Sequence, residues 1–345
     1  MRRCMTVAAA LVATVVVACP SWTQPAWAQS AGAQAAPIVL KAGTAVGVTS
    51  PLNDAMIALD KTLQEKSKGR IKIELHINNS IAKGEGAHLE GAQLGTIDIV
   101  AIGSAPIGGM FEPTYQALDL PFLWASREQV WKVMDGPFGQ DLLKKMDSKG
   151  VKAFCFGGGW GFRNMMSNKR PITVPEDMKG QTIRVQESPT YIAMMKGLGA
   201  NPVPMPYVEV YLAMKQGTID GMELPSFSLT ADKFHEVTKF YSMTRHSYPP
   251  IVWFMNMKRY QGLPPDLQKA VDDSMKETCV AHRKIEVERE KLDLDIMRKA
   301  GVQINEVKDI KQFQALMKPA YDSVESKVGK DFMAKLNGAI QAAGK

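Results

Sequence analysis

Short apolar runs alternate with amphipathic helical segments along most of this chain. Two of these units resemble each other, because a helical segment, the tetrapeptide Gly-Thr-Ile-Asp and an apolar run follow in that order at residues 86–102 and again at residues 207–224. The glycines of the tetrapeptides, Gly95 and Gly217, stand where the C-terminus of a helix favours a left-handed residue. Upstream of each copy, a Lys-Gly pair precedes a β-rich run, at residues 68–75 and 179–185. The pattern predicts two α/β lobes built from similar strand, helix, strand units, although four-residue matches also arise by chance.

A charged segment in the last third of the chain predicts one long helix. Between the proline pair at residues 264–265 and Gly301 the chain contains neither Pro nor Gly, and apolar residues recur among the charges. A continuous helix here would measure ~50 Å, long enough to contact both lobes. The alternative is two helices with a bend near Cys279. Alternating charges at residues 282–291 predict a solvent-exposed helix face.

The N-terminus has the pattern of an export signal. A basic start is followed by an apolar run at residues 7–18 and by Ala-Trp-Ala at residues 26–28, which is typical of a signal peptide cleaved after residue 28. The run is shorter than the ~18 residues that a membrane-spanning helix needs. The alternative is a lipoprotein signal with Cys19 acylated, which Pro20 disfavours. Either way, we expect the mature chain to act outside the cytoplasm, in the periplasm.

Composition and charge exclude one class of partner. The formal net charge of +7 falls to +5 on cleavage, since Arg2 and Arg3 are the only charged residues of the signal. No basic block remains that would follow a phosphate backbone, so we expect no nucleic acid partner.

The mature chain keeps two cysteines, Cys155 and Cys279. Because Cys155 lies in an apolar run, we expect a buried thiol there rather than a disulfide.

The chain carries no recognisable catalytic motif. Its five histidines are scattered without the spacing of a metal site, and it has no nucleophile elbow, phosphate-binding loop or Cys-x-x-Cys. The glycine-rich residues 157–161 lack nucleotide-binding spacing and predict backbone that passes close to a ligand or to another strand. We therefore expect no enzymatic activity, no cofactor and no metal.

Two arginines are the strongest candidates for ligand binding. Arg163 follows the glycine-rich run, and Arg184 lies within the β-rich segment Thr182–Val185. A guanidinium stays charged at physiological pH and offers a planar fork of donors that fits a carboxylate. Two such forks in one cleft would bind an organic acid, although either arginine could instead lie at the surface or pair with a local carboxylate. Glu223 follows a turn within an apolar stretch, and we expect it to orient an arginine or to close a hinge.

These residues stand in segments that resemble one protein family. The mature chain is similar to the DctP-type solute receptors of tripartite ATP-independent periplasmic (TRAP) transporters over essentially its whole length. The matching segments are Leu120-Pro-Phe-Leu, Arg163-Asn-Met-Met-Ser, Asp177-Met-Lys-Gly, Ile183-Arg-Val, Leu198-Gly-Ala, Pro204-Met-Pro, Glu209-Val-Tyr-Leu-Ala and Asp220-Gly-Met-Glu. Together they are far more specific than any one of them alone.

The resemblance implies an α/β protein of the two-lobed periplasmic binding protein fold, with a long helix contacting both lobes and a cleft that closes on the ligand. The implied lobe I comprises residues 37–160 and 249–288, and lobe II comprises residues 161–248 and 289–345. Arg184 matches the family's principal carboxylate clamp, Arg163 its second arginine, and Tyr207 an aromatic position of the cleft. The chain would act as a monomer that passes its ligand to membrane permease subunits driven by an ion gradient, without ATP.

The chain departs from the family's sialic-acid branch at three polar positions. Glu187 and Leu224 stand in place of asparagines, and Gly103 in place of an acidic residue. These changes disfavour a heavily hydroxylated sugar acid as the ligand. Candidates to line an apolar or aromatic pocket, which could equally be core residues, are Trp160, Tyr207, Leu224 and Phe227.

Two other functions stay open from the sequence. An exported enzyme acting on an organic acid could use Glu223 and Glu187 as its pair of carboxylates. A periplasmic sensor could bind the same acid and signal to a kinase. In all three cases the expected ligand is a small carboxylate, with dicarboxylates among the candidates.

Overall fold

A computed structural model describes residues 36–186 and 188–344, so the predicted signal peptide, Cys19 and Glu187 lie outside the described residues. The strands are β1 (Ile38–Gly43), β2 (Ile71–His76), β3 (Ile99–Gly103), β4 (Val151–Gly159), β5 (Arg163–Ser167), β6 (Thr182–Val185), β7 (Asn201–Pro204), β8 (Gly221–Leu224), β9 (Phe240–Ser247), β10 (Pro250–Asn256) and β11 (Gln303–Glu306). The α-helices are α1 (Pro51–Lys66), α2 (Gly84–Leu94), α3 (Ser104–Met110), α4 (Arg127–Asp135), α5 (Pro137–Lys145), α6 (Pro189–Gly197), α7 (Val210–Gln216), α8 (Ser226–Ala231), α9 (Met257–Gln261), α10 (Pro265–Lys299), α11 (Ile310–Gln314), α12 (Lys318–Val328) and α13 (Lys330–Ala343).

The strands form two mixed sheets. The first has five strands in the order β2-β1-β3-β10-β4, and the second has six in the order β11-β9-β5-β8-β6-β7. The parallel trio β2-β1-β3 corresponds in order to β7-β6-β8, which agrees with the predicted repeat of strand, helix, strand units. Each Lys-Gly pair precedes a strand, as predicted, but the first precedes the edge strand β2 and the second precedes the inner strand β6. The two Lys-Gly pairs therefore precede strands in different positions of their sheets and are not structurally equivalent.

Both faces of each sheet are buried, which explains the unbroken apolar runs in the sequence. In β10, Trp253 and Met255 pack with α1 and α10 on one face, while Val252 and Phe254 pack with the cluster on the opposite face. Side chains alternate between the faces of a strand, so a strand buried on both sides is apolar at every position. The second sheet also has separate apolar clusters on its two faces, but its strands β5 and β9 carry buried polar residues as well, among them Asn164 and Thr244.

The long helix is continuous, as predicted. α10 runs for 35 residues without interruption and contacts α1 and β4 beside the first sheet and α8 and β11 beside the second. The prediction of a solvent-exposed charged face at residues 282–291 holds for Lys284, Glu288 and Lys291, which are exposed. It was wrong for His282, Arg283 and Glu286, which are buried. These three side chains are buried because α10 packs against the segments that connect the first sheet to the second.

Two of those passages meet at Glu286. The first joins β4 to β5 and the second joins β9 to β10. The carboxylate of Glu286 accepts hydrogen bonds from the Gly159 N–H at 2.8 Å, the Tyr248 hydroxyl at 2.6 Å and Nε of Arg127 at 2.7 Å. A Cβ at position 159 would lie 2.8 Å from the Tyr248 ring and 2.9 Å from the carbonyl oxygen of Pro249. The glycine run therefore lets neighbouring chain approach closely, as the sequence predicted.

Cys155 and Cys279 form a disulfide, which corrects the expectation of a buried thiol. α10 packs on β4 and brings the two Cα atoms to 6.4 Å, within the range that a disulfide spans. The apolar run around Cys155 belongs to a strand buried by this helix, so an apolar setting and a bridge occur together. The sequence separation of 124 residues concealed the pairing.

The predicted lobe boundaries are consistent with the sheets but stay a prediction. The strands of the first sheet fall within residues 37–160 and 249–288, and those of the second within the remaining ranges. Val324 of α12 and Met333 of α13, in contrast, belong to a core cluster of the first sheet. No helix among the described residues is long and apolar enough to cross a membrane.

Candidate functional site

The carboxyl ends of the parallel strands locate the candidate site. β3 ends at Gly103 in the first sheet, and β6 and β8 end at Val185 and Leu224 in the second. β5 runs antiparallel to β8, so its first residue, Arg163, lies at the same end of the second sheet. Ligands of open α/β sheets bind outside the carboxyl ends of the strands. This is where the structure places the chemistry that the sequence singled out.

The repeated Gly-Thr-Ile-Asp tetrapeptides fix the start of β3 and β8. The carboxylate of Asp98 accepts the Lys41 N–H at 2.8 Å, and that of Asp220 accepts the Thr182 N–H at 2.8 Å. Each aspartate thus ties its strand to the neighbouring parallel strand, β1 or β6. The repeat is a structural device that sets the register of the strands leading to the site, and its acids are not ligand contacts.

Arg163 and Glu223 form a buried ion pair. Arg163 is 3% exposed and Glu223 is 0% exposed. Nε of Arg163 donates to Oε2 of Glu223 at 2.5 Å, and Nη2 donates to Oε1 and to the backbone oxygen of Glu223, both at 2.8 Å. The amide oxygen of Gln186, in the orientation that satisfies both groups, accepts from Nη1 and Nη2 at 2.9 Å. Glu223 therefore orients an arginine, one of the two roles expected of it from the sequence.

The electrostatics keep this pair ionised. Burial raises the pKa of Glu223, but the charge of Arg163 and hydrogen bonds from His246 and Arg163 outweigh it and hold the pKa at about 2. His246 lies 3.3 Å from Oε2 of Glu223 through Nε2, and burial lowers the pKa of its imidazole. The Arg163 guanidinium also lies over the Tyr191 ring at 5.4 Å. The positive charge is thus fixed in position at the end of the sheet.

Arg184 reaches the same end of the sheet from the other face. Strand alternation places Ile183 and Val185 in one core cluster and Met222, the partner of Arg184 in β8, in the other. Arg184 is 3% exposed, and its Nε and Nη2 donate to the carbonyl oxygen of Met205 at 3.0 and 2.7 Å. These bonds fix the plane of the guanidinium. Arg163 and Arg184 thus lie at the same end of the second sheet, on opposite faces of it.

Tyr207 lies beside Arg184 at the surface. The Arg184 guanidinium is 5.8 Å from the centre of the Tyr207 ring, and the Tyr207 hydroxyl donates to Asp232 at 2.6 Å. The other oxygen of Asp232 lies 3.7 Å from the position that a Cβ of Gly47 would occupy, in the loop after β1. Tyr207 and Asp232 therefore stand where the loop of the first sheet meets the second.

Only some of the residues predicted to line an apolar or aromatic pocket contact one another. Trp160 and Phe227 stack on each other with ring centres 5.5 Å apart, Trp160 coming from the passage between the sheets and Phe227 from α8. Leu224 is 3% exposed and belongs to a core cluster of the second sheet. A contact of these residues with ligand stays a prediction. Glu187, the remaining candidate, lies outside the described residues.

Sequence reasoning missed two acidic residues that lie beside the carboxyl end of β3, Glu85 on α2 and Asp119 in the turn before Leu120. Oε1 of Glu85 accepts the Gly103 N–H at 3.0 Å, and Oδ1 of Asp119 accepts the Ser104 hydroxyl at 2.6 Å. Burial raises the pKa of each carboxyl to about 7, although Arg163 opposes the rise in both. The only signal in the sequence was position, since Asp119 directly precedes the Leu-Pro-Phe segment and Glu85 stands between glycines.

Among the described residues, the two arginines lie apart from a large cavity and from any group of metal ligands. Among the described residues, no group of three or more His, Cys, Asp or Glu side chains is arranged to hold a metal ion. A cavity of about 900 Å³ is lined by residues that include Phe162, Arg245 and Ile340, and neither Arg163 nor Arg184 contributes to its walls. The buried arginines therefore remain the candidate for anion binding.

Comparisons with known proteins show the family to which the chain belongs. The family model described as bacterial extracellular solute-binding protein, family 7 (DctP), matches residues 42–327. The 2,3-diketo-L-gulonate-binding periplasmic protein YiaO of Escherichia coli K12 is 34% identical over 79% of this chain and 83% of its own length. The C4-dicarboxylate-binding periplasmic protein DctP of Rhodobacter capsulatus is 28% identical over 88% of this chain and 92% of its own.

A solved structure has the same fold. It is a TRAP periplasmic solute-binding protein from Polaromonas sp. JS666 bound to D-erythronate, with a TM-score of 0.82 and 31% identity, covering 89% of this chain and 99% of that chain. At this level of similarity the arrangement of the two sheets and the long helix is that of a two-lobed α/β binding protein.

Proposed function

Since this chain belongs to the DctP family of bacterial extracellular solute-binding proteins, family 7, we propose that Arg184 is the residue that binds the carboxylate of its ligand. The chain is a solute receptor of the TRAP type that binds a small organic acid, and the resemblance noted in the sequence is confirmed. The family consists of transporter receptors, which points away from an enzyme. The observation that carries the proposal is the pair of buried arginines at the carboxyl ends of β6 and β8.

The two arginines have different tasks in this proposal. Arg163 is held by Glu223 and Gln186 on several of its N–H groups, so it supplies a fixed positive field and a secondary contact. Arg184 has its plane set by a backbone carbonyl, which suits a direct two-point contact with a carboxylate. Tyr207 covers Arg184, and Trp160 with Phe227 closes the side of the site nearest the passage between the sheets.

Delivery and location complete the proposal. The family is periplasmic and TRAP receptors serve membrane permeases, so the partner is a permease that accepts the loaded receptor. We propose that the receptor works as a monomer, with residues 1–28 removed on export. Mass spectrometry of the secreted chain checks the cleavage site, and light scattering with and without ligand checks the monomer.

Thermal unfolding of the mature chain, refolded from denaturant to remove bound ligand, tests the carboxylate site. A ligand at ~100 times its Kd adds about 2.7 kcal/mol to the free energy of unfolding, a clear rise in Tm. Removing one partner of a desolvated ion pair costs ~2 to 5 kcal/mol, so Arg184→Ala should weaken binding by about 30-fold or more. Arg298→Ala, which removes an exposed arginine at the end of α10, should bind as wild type does.

The enzyme alternative makes a different prediction for the same ligand. A receptor returns its ligand unchanged, whereas an enzyme converts it. Incubation of excess ligand with the protein, followed by mass spectrometry of the small molecule, distinguishes the two. A product that accumulates with time would overturn the receptor assignment.

A further inference from the structure

The large cavity beside α11 has the size of a ligand pocket and takes no part in the proposed function. It measures about 900 Å³, within the range of ~300 to 1,000 Å³ that is usual for small-molecule sites. Its walls come from residues 122–125, Phe162, α4, α11, α13, β9 and the end of β11. Among the described residues, none of the candidate contacts of the ligand carboxylate belongs to these walls. This α11 cavity is therefore a separate space from the site around the two arginines.

The backbone of the cavity wall is strained at two bulky residues. Phe122 and Arg245 have φ of 58° and 44°, in the left-handed region that bulky residues avoid. Arg245 lies in a bulge of β9, because residues 243–246 stand opposite Asn164 alone in β5. The Asn164 side-chain oxygen accepts the Arg245 N–H at 2.8 Å, and the Phe122 N–H donates to the His246 carbonyl at 2.6 Å. Bulges re-aim side chains, and strain of this kind is concentrated at ligand sites.

Aromatic and aliphatic side chains form a large part of the wall. They are Phe122, Leu123, Trp124, Phe162, Ile310 and Ile340. Nε1 of Trp124 donates to the carbonyl oxygen of Leu118 at 3.0 Å, so the polar atom of the indole is already bonded within the protein. Burying a hydroxyl without a partner costs free energy. The walls therefore suit the apolar body of a ligand and disfavour a hydroxylated one.

The charged side chains of the wall favour an anion. They are Arg245 and Lys311, which are positive, and Glu306, which is negative, so the net charge is +1. Arg245 and Glu306 pair through two hydrogen bonds of 2.7 and 2.9 Å. Among the described residues no carboxylate pairs with the ammonium of Lys311, whose side chain is exposed. The charge of Lys311 is therefore available to one negative group of a ligand.

The end of α13, which also lines the cavity, does not oppose an anion. The C-terminus of a helix carries partial negative charge on its last carbonyl groups. Here the carbonyl oxygen of Gly344 accepts from Nε2 of Gln129 at 2.5 Å, and that of Ala343 accepts from Nζ of Lys132 at 2.8 Å. An amide and an ammonium group of α4 thus satisfy these carbonyls.

We propose that the α11 cavity is a second ligand site, and that it takes an aromatic monoanion. The apolar walls receive the aromatic body, with the rings of Phe122, Trp124 and Phe162 as its main contacts. Lys311 binds the negative group, while Arg245 stays paired with Glu306 at the rim. The site is independent of Arg184, so it goes beyond the proposed function and does not rest on it.

Two dyes with the same aromatic body test the class of ligand. Anilinonaphthalenesulfonate carries one negative charge, and phenylnaphthylamine is the same molecule without the sulfonate. Fluorescence titration of the refolded mature chain should show one saturable site for the anionic dye, with an affinity about fivefold or more above that for the neutral dye, since an exposed ion pair is worth up to about that factor. Equal affinities, or no saturable binding of the anionic dye, would overturn the inference.

Variants of the wall assign the binding to the cavity. Lys311→Glu should weaken the anionic dye by about fivefold or more and leave the neutral dye unchanged. Lys308→Glu makes the same change of charge at an exposed position outside the wall and should alter neither. Ile340→Glu places a carboxylate on the apolar wall and should weaken both dyes, whereas Ala342→Glu, exposed on the same helix, should not. Since Lys311 is exposed, its variant decides the question if Ile340→Glu does not fold. Wild-type affinity for the anionic dye in Lys311→Glu contradicts the inference.

Failure of this inference and failure of the carboxylate site give different results. Arg184→Ala should lose its organic acid and keep the anionic dye. If Arg184→Ala loses the dye as well, the dye binds at the arginines, and the cavity inference is wrong while the carboxylate site stands. If Arg184→Ala keeps both, the carboxylate site is wrong and the cavity site stands.

Discussion

Asp119→Asn should stabilise the ligand-free protein, and by an amount that depends on pH. Asp119 is 3% exposed, and burial raises its pKa from 3.8 to about 7, with Ser104 and Arg163 opposing the rise. Because the folded-state pKa lies above the unfolded-state value, the folded chain holds a proton between about pH 4 and pH 7 that the unfolded chain has lost. The contribution of the Asp119 carboxyl to the free energy of unfolding therefore falls as pH rises from about 4 to about 7.

The size of the effect follows from the shift. One pKa unit corresponds to about 1.4 kcal/mol, so the two pH units from 5 to 7 correspond to ~3 kcal/mol. Asparagine keeps an oxygen for the Ser104 hydroxyl and does not ionise. The difference in free energy of unfolding between variant and wild type should therefore grow in favour of the variant by ~2 to 3 kcal/mol from pH 5 to pH 7 and then level off.

Urea unfolding followed by circular dichroism at pH 5, 6, 7 and 8 measures this difference. Asp141→Asn, whose side chain is 77% exposed on α5, is the matched control and should show no such trend. A difference between Asp119→Asn and wild type that is constant with pH, or that shrinks as pH rises, would refute the reasoning.

Three further perturbations test the packing around the site by urea unfolding. Glu223→Ala leaves a buried arginine without its partner and should cost ~3 to 5 kcal/mol; a loss under about 1 kcal/mol would contradict the buried pair. Cys155→Ala with Cys279→Ala opens a loop of 124 residues and should cost ~5 kcal/mol in the loop-closure account, and an unchanged midpoint would argue against the bridge. Glu286→Ala should cost ~3 kcal/mol, more than Glu290→Ala, and the reverse order would count against its role between the sheets.

Local sequence signals were enough for the secondary structure around the site. Gly95 and Gly217 end α2 and α7 with φ of 83° and 71°, the left-handed conformation that their position indicated. The absence of Pro and Gly after residue 265 predicted the continuous α10. These features depend on residues a few positions apart, so a single sequence carries them.

Features that depend on contacts between distant segments escaped the sequence. The charges at residues 282–291 have the pattern of a solvated face, and only the position of α10 against both passages between the sheets makes Glu286 a buried acceptor. The Cys155–Cys279 bridge and the approach of Glu85 to Gly103 likewise depend on helices packed on particular strands. Arg163 and Arg184 were candidates from the residues alone, and the family resemblance favoured a binding role for them over a surface position or a local ion pair. Asp119 and Glu85 belong to no segment singled out for binding.

The most direct test of the carboxylate site is the crystal structure of the refolded mature chain with the organic acid that raises its Tm most. The account predicts the ligand carboxylate within hydrogen-bond distance of the Arg184 guanidinium. A ligand bound elsewhere, or one whose carboxylate faces Glu85 and Asp119 while Arg184 contacts only protein, would contradict it.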